Sequence, residues 1–365
     1  MTMKKTVATL AACVLSAGLL AACGDKGESK QTGGQSNLSE QEIIEMAANS
    51  GQVGNWGLGN EYEVLALLAK YNLPTSFLSQ DFTMDGFDDD SILLASAMTY
   101  NELGLVKNDY EGGYGYGDDV KYIDMNDQGV AMMEDNIFCT KQFAKENPET
   151  VAAFLYASFR GWEYAVEHPE EAAEICYKYG SSVSADHQKY MAEEVAKLIT
   201  TNTKGESVST IGYMDDEAMQ QTLDIAKQYV TLDDASANTK FQALTLDDIR
   251  DTSFYDKAVS SDGKFNVEKK DVSIQLKWLP QAQFMGYFVA LDKGYYKEAG
   301  FENVEIVSGG GDIAETTAVN NGTVDFGVTW ETNLASADAS GMDLVEIAQI
   351  YQRSGLVLVY KPANF

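Results

Sequence analysis

The sequence predicts an α/β fold of two lobes about a cleft. Three observations lead there. Residues 52–145 alternate short apolar strand segments with helical stretches, and so do residues 261–365. A helical region, 146–260, separates them. The third is an internal echo: Ala95-Ser96-Ala97-Met98-Thr99-Tyr100-Asn101-Glu102-Leu103 parallels Phe326-Gly327-Val328-Thr329-Trp330-Glu331-Thr332-Asn333-Leu334. Each reads as a buried strand running into a helix N-terminus, with an aromatic residue and a glutamate at the turn. Ligands of open α/β sheets sit at the carboxyl ends of strands, so two such lobes would present these turns to a shared site. A length of 365 residues fits two or three domains of about 100–200 residues.

The chain opens on an address. Lys4 and Lys5 precede an apolar run from Val7 to Ala22, too short and small-sided to span a bilayer, and residues 1–22 read as a signal peptide. Leu20-Ala21-Ala22-Cys23 resembles a bacterial lipobox, which implies cleavage before Cys23, lipidation of that cysteine and an extracytoplasmic protein anchored to the cell membrane. Residues 23–51 read as tether and linker, rich in Gly, Ser, Lys and Gln as far as Ser36.

The 52–145 lobe begins with an extended segment ending at Trp56. A helix is expected over 60–71, stopped by Asn72-Leu73-Pro74, then strands over 76–82 and 92–98 and a helix from Asn101. A Gly-, Tyr- and Asp-rich loop spans 111–119. An apolar segment, 129–139, is interrupted by Glu134-Asp135-Asn136. In the helical region Asn147-Pro148-Glu149 starts a helix that His168-Pro169 punctuates, and further helices fall at 170–179, 185–199 and 215–229. Ser260 to Lys270 is a polar linker. The 261–365 lobe then gives a strand over 272–278, a helix over 284–299 and a strand over 304–307 that ends in Ser308-Gly309-Gly310-Gly311. A helix over 312–320 capped by Asp312, a strand over 324–329, a helix over 331–339 and strands over 345–350 and 356–360 complete it.

Composition narrows the function. Asp plus Glu is 56 against 26 Lys plus Arg, a formal net charge of −30, which argues against nucleic acid as a partner. Arg160, Arg250 and Arg353 are the only arginines, too few for a clamp on a dianion. His168 and His187 are the only histidines, which leaves little for metal or triad chemistry; neither a metal nor a cofactor is expected. Cys139 and Cys176 read as buried thiols ahead of a disulfide. The acidic stretch 85–90 lacks calcium-loop spacing.

Residues 272–300 carry Trp278-x-Pro280, then Gly286-x-x-x-Ala290, then Lys293-Gly294-Tyr295-Tyr296 and Gly300. With the Gly-rich turn at 308–312 and Asp325-Phe326-Gly327-Val328, they resemble the opening of type II periplasmic binding proteins of the thiamine-pyrimidine-synthase-like family. Residues 53–61 resemble the start of that family's second lobe. The resemblance implies a type II periplasmic-binding-protein-like fold, two lobes on a hinge. It also implies that the lobes stand here in reversed order, a circular permutation joined through 260–270. In that reading the chain's end at Phe365 costs one of the family's two crossings between lobes and loosens the hinge. The implied function is delivery of a small, nitrogen-containing heteroaromatic ligand, first a thiamine-pyrimidine precursor, to ABC permease subunits by a monomer. The rival readings are a pyrimidine-synthase-like enzyme and a receptor of the same fold. Family members with synthase activity carry a histidine where Phe284 stands, together with a cysteine-rich segment that this chain lacks.

Candidate ligand residues gather at the expected cleft turns. Trp278 and Trp56 end the first strand of each lobe, and two indoles suit a flat ring. Trp330 and Tyr100 occupy the echoed turns. Gln281 and Phe284 lie on the motif after Trp278, and Ser308, Gly309 and Gly310 form a turn whose backbone can approach a ligand. Asn60, Asn101, Glu102, Glu134, Asp135 and Glu331 supply polar contacts, the carboxylates suiting ring amino groups at about 1.5–3 kcal/mol each. Arg353 is placed to hold a carboxylate or to pair with acids of the lobe. Trp162 reads as core.

Overall fold

The computed structural model describes residues 37–365. Cys13, the signal peptide and Cys23 lie outside these residues. Among the described residues ten strands form two five-stranded sheets. The first sheet has the order β2-β1-β3-β10-β4, from β1 (Val53–Asn55), β2 (Leu78–Ser79), β3 (Leu94–Met98), β4 (Lys121–Asp124) and β10 (Leu356–Tyr360). The second has the order β7-β6-β8-β5-β9, from β5 (Asn136–Thr140), β6 (Asp271–Gln275), β7 (Asn303–Val307), β8 (Phe326–Thr329) and β9 (Leu344–Gln349). Every residue of β3, β9 and β10 is buried, as expected of strands covered on both faces.

The two sheets are built alike. β1 pairs in parallel with β2 and β3, and β6 with β7 and β8. Each sheet also takes one strand from the chain of the other lobe, antiparallel to both neighbours: β10 between β3 and β4, and β5 between β8 and β9. The lobe boundaries at 145 and 261 therefore shift, since β5 belongs with the β6 lobe and β10 with the β1 lobe. Two crossings join the lobes, through 125–135 and 350–355. The expectation that one crossing is lost at Phe365 is overturned, because the chain crosses before β10 and ends beyond it.

The crossings are laced together. Asn126 donates from Nδ2 to the Ser354 carbonyl (2.9 Å), and the Ser354 amide donates to Asn126 Oδ1 (3.2 Å). Glu134 on one crossing accepts from the Ser354 hydroxyl (3.2 Å) and the Gly355 amide (3.1 Å) on the other. Arg353 pairs with Asp124 at 2.8 Å, which decides its alternatives in favour of a lobe acid.

Several local expectations change. The stretch read as tether and linker contains the Glu40–Ser50 helix, opened by a Ser39–Glu42 capping box and burying Ile43 and Ile44. The helix expected over 284–299 is interrupted: Met285–Asp292 and Tyr295–Glu298 are separated by Gly294 in a left-handed conformation. The helix expected from Asp312 begins at Glu315, so Asp312 caps nothing. Cys139 and Cys176 are buried free thiols, and Trp162 is core.

The helical region packs chiefly on the β6 lobe, where the Pro148–Glu167 helix crosses the Met285–Asp292 helix. Its Ala185–Thr200 helix reaches both lobes. Tyr190 donates to the Thr99 carbonyl of the β1 lobe (2.8 Å), and Gln188 Oε1 accepts from the Ala282 amide of the β6 lobe (2.7 Å).

Candidate functional site

A cavity of about 380 Å³ lies between the carboxyl ends of the two sheets, walled by both lobes. On the β1 side its wall begins at the turn after β1. Asn55 is fully buried, donates to Ser96 Oγ (2.9 Å) and accepts from the Gly57 amide (2.7 Å), which fixes the turn that carries Trp56. Gly57, Leu58 and Gly59 all have positive φ. Gly59 has a second reason to be glycine: a Cβ there would lie 2.1 Å from Asn333 Oδ1 of the opposite lobe. Asn333 in turn donates to the Leu58 carbonyl (3.3 Å). Phe82 reaches across the mouth to Trp278, ring centroids 5.1 Å apart. These contacts close the cleft.

The end of β3 supplies the polar wall. Glu102 accepts from the Met98 amide (2.9 Å) and from Asn101 Nδ2 (2.8 Å), and burial pushes its carboxyl up to about 7. Asn60 is buried with its Oδ1 unpaired, and the Trp56 Nε1 is likewise buried and unpaired. Both residues line the cavity. Neither atom has surface open to the cavity in this arrangement, so a ligand would reach them only if their side chains turned; an unmade buried hydrogen bond costs about 1–3 kcal/mol.

The β6 side contributes Trp278, Trp330 and a buried ion pair. Lys277 Nζ lies 2.8 Å from Glu315 Oε1 and 5.1 Å from the Trp330 ring centre. Thr329 donates to the same Glu315 oxygen (2.5 Å). Lys277 is thus committed within the protein and leaves the acidic character of the cavity to Glu102 and Asp312. Behind the wall, Asp135 accepts from Trp330 Nε1 (3.0 Å) and Gln283 Nε2 (2.8 Å), fixing the indole plane. Burial pushes the Asp135 carboxyl up to about 7.

Of the residues expected from sequence, Trp56, Asn60, Tyr100, Asn101, Glu102, Trp278, Gln281, Gly310 and Trp330 line the cavity. Phe284, Glu331, Glu134 and Asp135 are buried outside its lining. Phe284 is core. Glu331 opens the Glu331–Ala339 helix with its carboxyl buried, its pKa raised by burial first and then by the charge of Glu346. Glu134 serves the crossings. Ser308 and Gly309 also stand outside the lining. Gly309 packs on backbone, since a Cβ there would lie 2.1 Å from the Leu276 carbonyl oxygen. The sequence reading missed Phe82, Lys277, Gln283 and Glu315. Lys277 stands next to Trp278 beyond a strand end, which was a usable signal.

A family model described as NMT1/THI5 like matches residues 53–172 and 281–364. No curated protein matches the chain.

Proposed function

The chain belongs to the NMT1/THI5-like family, commonly substrate-binding proteins of ABC transport, and from that premise we propose an extracytoplasmic solute-binding lipoprotein. Its two lobes close on a small heteroaromatic, nitrogen-containing molecule, a thiamine-pyrimidine precursor or a similar flat ring, and deliver it to ABC permease subunits. One observation carries this reading: Trp56 and Phe82 from one lobe face Trp278 and Trp330 from the other around the cavity. The burial of Phe284 away from the cavity supports binding over synthase chemistry, since the resemblance puts a synthase's histidine there. The Cys23 anchor rests on the lipobox resemblance.

A thermal-shift screen of pyrimidines, flavins, sulfonates and amines tests the ligand class, because a ligand bound only by the folded state raises the midpoint. Nitrogen heterocycles are expected to raise it; a response to sulfonates alone overturns the reading. Trp278→Ala should weaken the best heterocycle by about tenfold to 100-fold, the value of about 1.5–3 kcal/mol of lost stacking and apolar burial.

The circular permutation belongs to the same proposal. Its support is the matching strand order of the two sheets and the nearness of Glu40 to Tyr360, whose hydroxyl pKa the acid helps to raise, after burial. Because both crossings are kept, a variant rejoined in the conventional lobe order should bind the same ligand with unchanged affinity. A tenfold gain would restore the looser-hinge idea.

A further inference from the structure

Among the described residues, Glu102 is the one buried carboxyl of the candidate cavity that no cation pairs; the Met98 amide holds one of its oxygens, and a chain of groups reaching away from the cavity holds the other. Asn101 Nδ2 donates to Glu102 Oε1 (2.8 Å), and Asn101 Oδ1 lies 2.8 Å from His187 Nε2. His187 Nδ1 lies 2.5 Å from the Tyr110 hydroxyl. The four groups come from three places: the β3 turn, the loop that follows the Glu102–Lys107 helix, and the first turn of the Ala185–Thr200 helix.

The direction of each bond follows from the chemistry. With Asn101 Nδ2 turned to Glu102, its Oδ1 can only accept, so His187 must carry its proton on Nε2. A neutral ring then accepts at Nδ1, and the Tyr110 hydroxyl donates. Burial holds the ring neutral, its pKa lowered to about 4. Rotating the Asn101 amide by half a turn would set two acceptors, Oδ1 and the Glu102 carboxylate, against each other. It would also set the Asn101 N–H₂ against the His187 N–H, so the histidine opposes the rotation from the other end of the amide and keeps it opposed when the Glu102 carboxyl is protonated.

We propose that His187 is a positioning residue of the cavity: through Asn101 it fixes the Glu102 carboxyl to face ligand N–H donors. This rests on the cavity being the binding site. The histidine is itself held. Ser184 caps its helix, accepting from the His187 amide (3.2 Å), and Tyr190 stacks parallel to the imidazole with centroids 6.0 Å apart. The adjacent Gln188 holds the Ala282 amide of the other lobe, so one helical turn secures both walls of the cavity.

Two measurements separate the claim about His187 from the claim about ligand. In the ligand-free protein, ¹⁵N spectra of the two histidine rings should show His187 as a neutral Nε2–H tautomer from pH 5 to 8, with exposed His168 as the internal comparison. The Glu102 carboxyl ¹³C signal, identified by its loss in Glu102→Gln, should titrate near 7 and move by at least about half a pH unit in His187→Phe. His187→Gln, which restores a donor to Asn101, should return it, and Tyr110→Phe should move it part of the way without disturbing the core. An Nδ1–H tautomer, or an unmoved Glu102 titration in both His187→Phe and Tyr110→Phe, overturns the proposal. Binding is then read with 4-aminopyrimidine against pyrimidine. The preference for the amino compound should fall at least tenfold in His187→Phe and recover in His187→Gln. Equal loss for both probes overturns the positioning role. If neither probe binds the wild-type chain, the ligand reading fails while the spectra still decide the role of His187.

Discussion

Gly286→Val is expected to remove a large part of the protein's folding stability. Gly286 sits in the Met285–Asp292 helix where it crosses the Pro148–Glu167 helix, and a Cβ there would lie 2.0 Å from the Trp162 ring. The crossing is reciprocal: a Cβ on Gly161 would lie 2.1 Å from the Gly286 carbonyl oxygen. Neither neighbour can yield. Trp162 is fully buried with its ring edge-on to Tyr287, centroids 5.3 Å apart, and the carbonyl belongs to the facing backbone. Overpacking a core by a methylene or two costs about 1–3 kcal/mol. Here even the first carbon has no room, so the helices must separate, at a cost of about 4 kcal/mol or more against a usual total of about 5–15. Urea unfolding checks it. Gly112→Ala provides the comparison: its φ is +85° and nothing lies near, so the cost should be about 1 kcal/mol of backbone strain alone. A Gly286→Val midpoint no lower than that of Gly112→Ala would overturn the account.

Stability should fall as pH rises from about 5 to 8, the reverse of ordinary acid denaturation. Burial pushes the carboxyls of Glu134 and Glu346 up to about 8, and those of Glu102 and Asp135 up to about 7. The unfolded chain releases these protons near pH 4, while the native state still holds them. The native state therefore binds more protons across this window, and each group lowers stability by up to about 1.4 kcal/mol per pH unit. Glu134→Gln isolates one of them. The amide keeps an oxygen for the Gly355 amide and has no proton to lose. It also removes a like charge facing the neighbouring buried Glu63, whose own pKa is raised by burial and then by Glu134. The variant should match the wild type near pH 4 and exceed it by roughly 2–4 kcal/mol at pH 8. The difference between the two unfolding curves removes the common effect of the −30 net charge. A difference that does not grow with pH would overturn the assignment.

The legible part of the site was the set of turns. Trp56, Trp278, Trp330 and Tyr100 stand just beyond strand ends, and strand ends are marked locally by period and by the residue types that follow. Phe82 was not legible, because β2 is only Leu78–Ser79 and an exposed ring beyond it carries no pattern. The echo between the lobes misled at Glu331. In the aligned segments Glu102 stands opposite Asn333, and both line the cavity, whereas Glu331 stands opposite Tyr100 and is buried outside the lining. A glutamate at both turns is not a glutamate at the same position, and the packing around each turn is set by segments distant in the chain.

What the sequence alone determined is the alternation of strands and helices into two α/β lobes around a helical middle. That information lies in windows of ten or so residues, where apolar period and turn chemistry act. The tertiary structure decided which strand each lobe lends, that both crossings survive, and which acids are buried together. Those depend on partners far apart in the chain, such as Asn126 and Ser354, 228 residues apart. Each such contact forms only when the whole fold sets its partners side by side, so no local pattern records it.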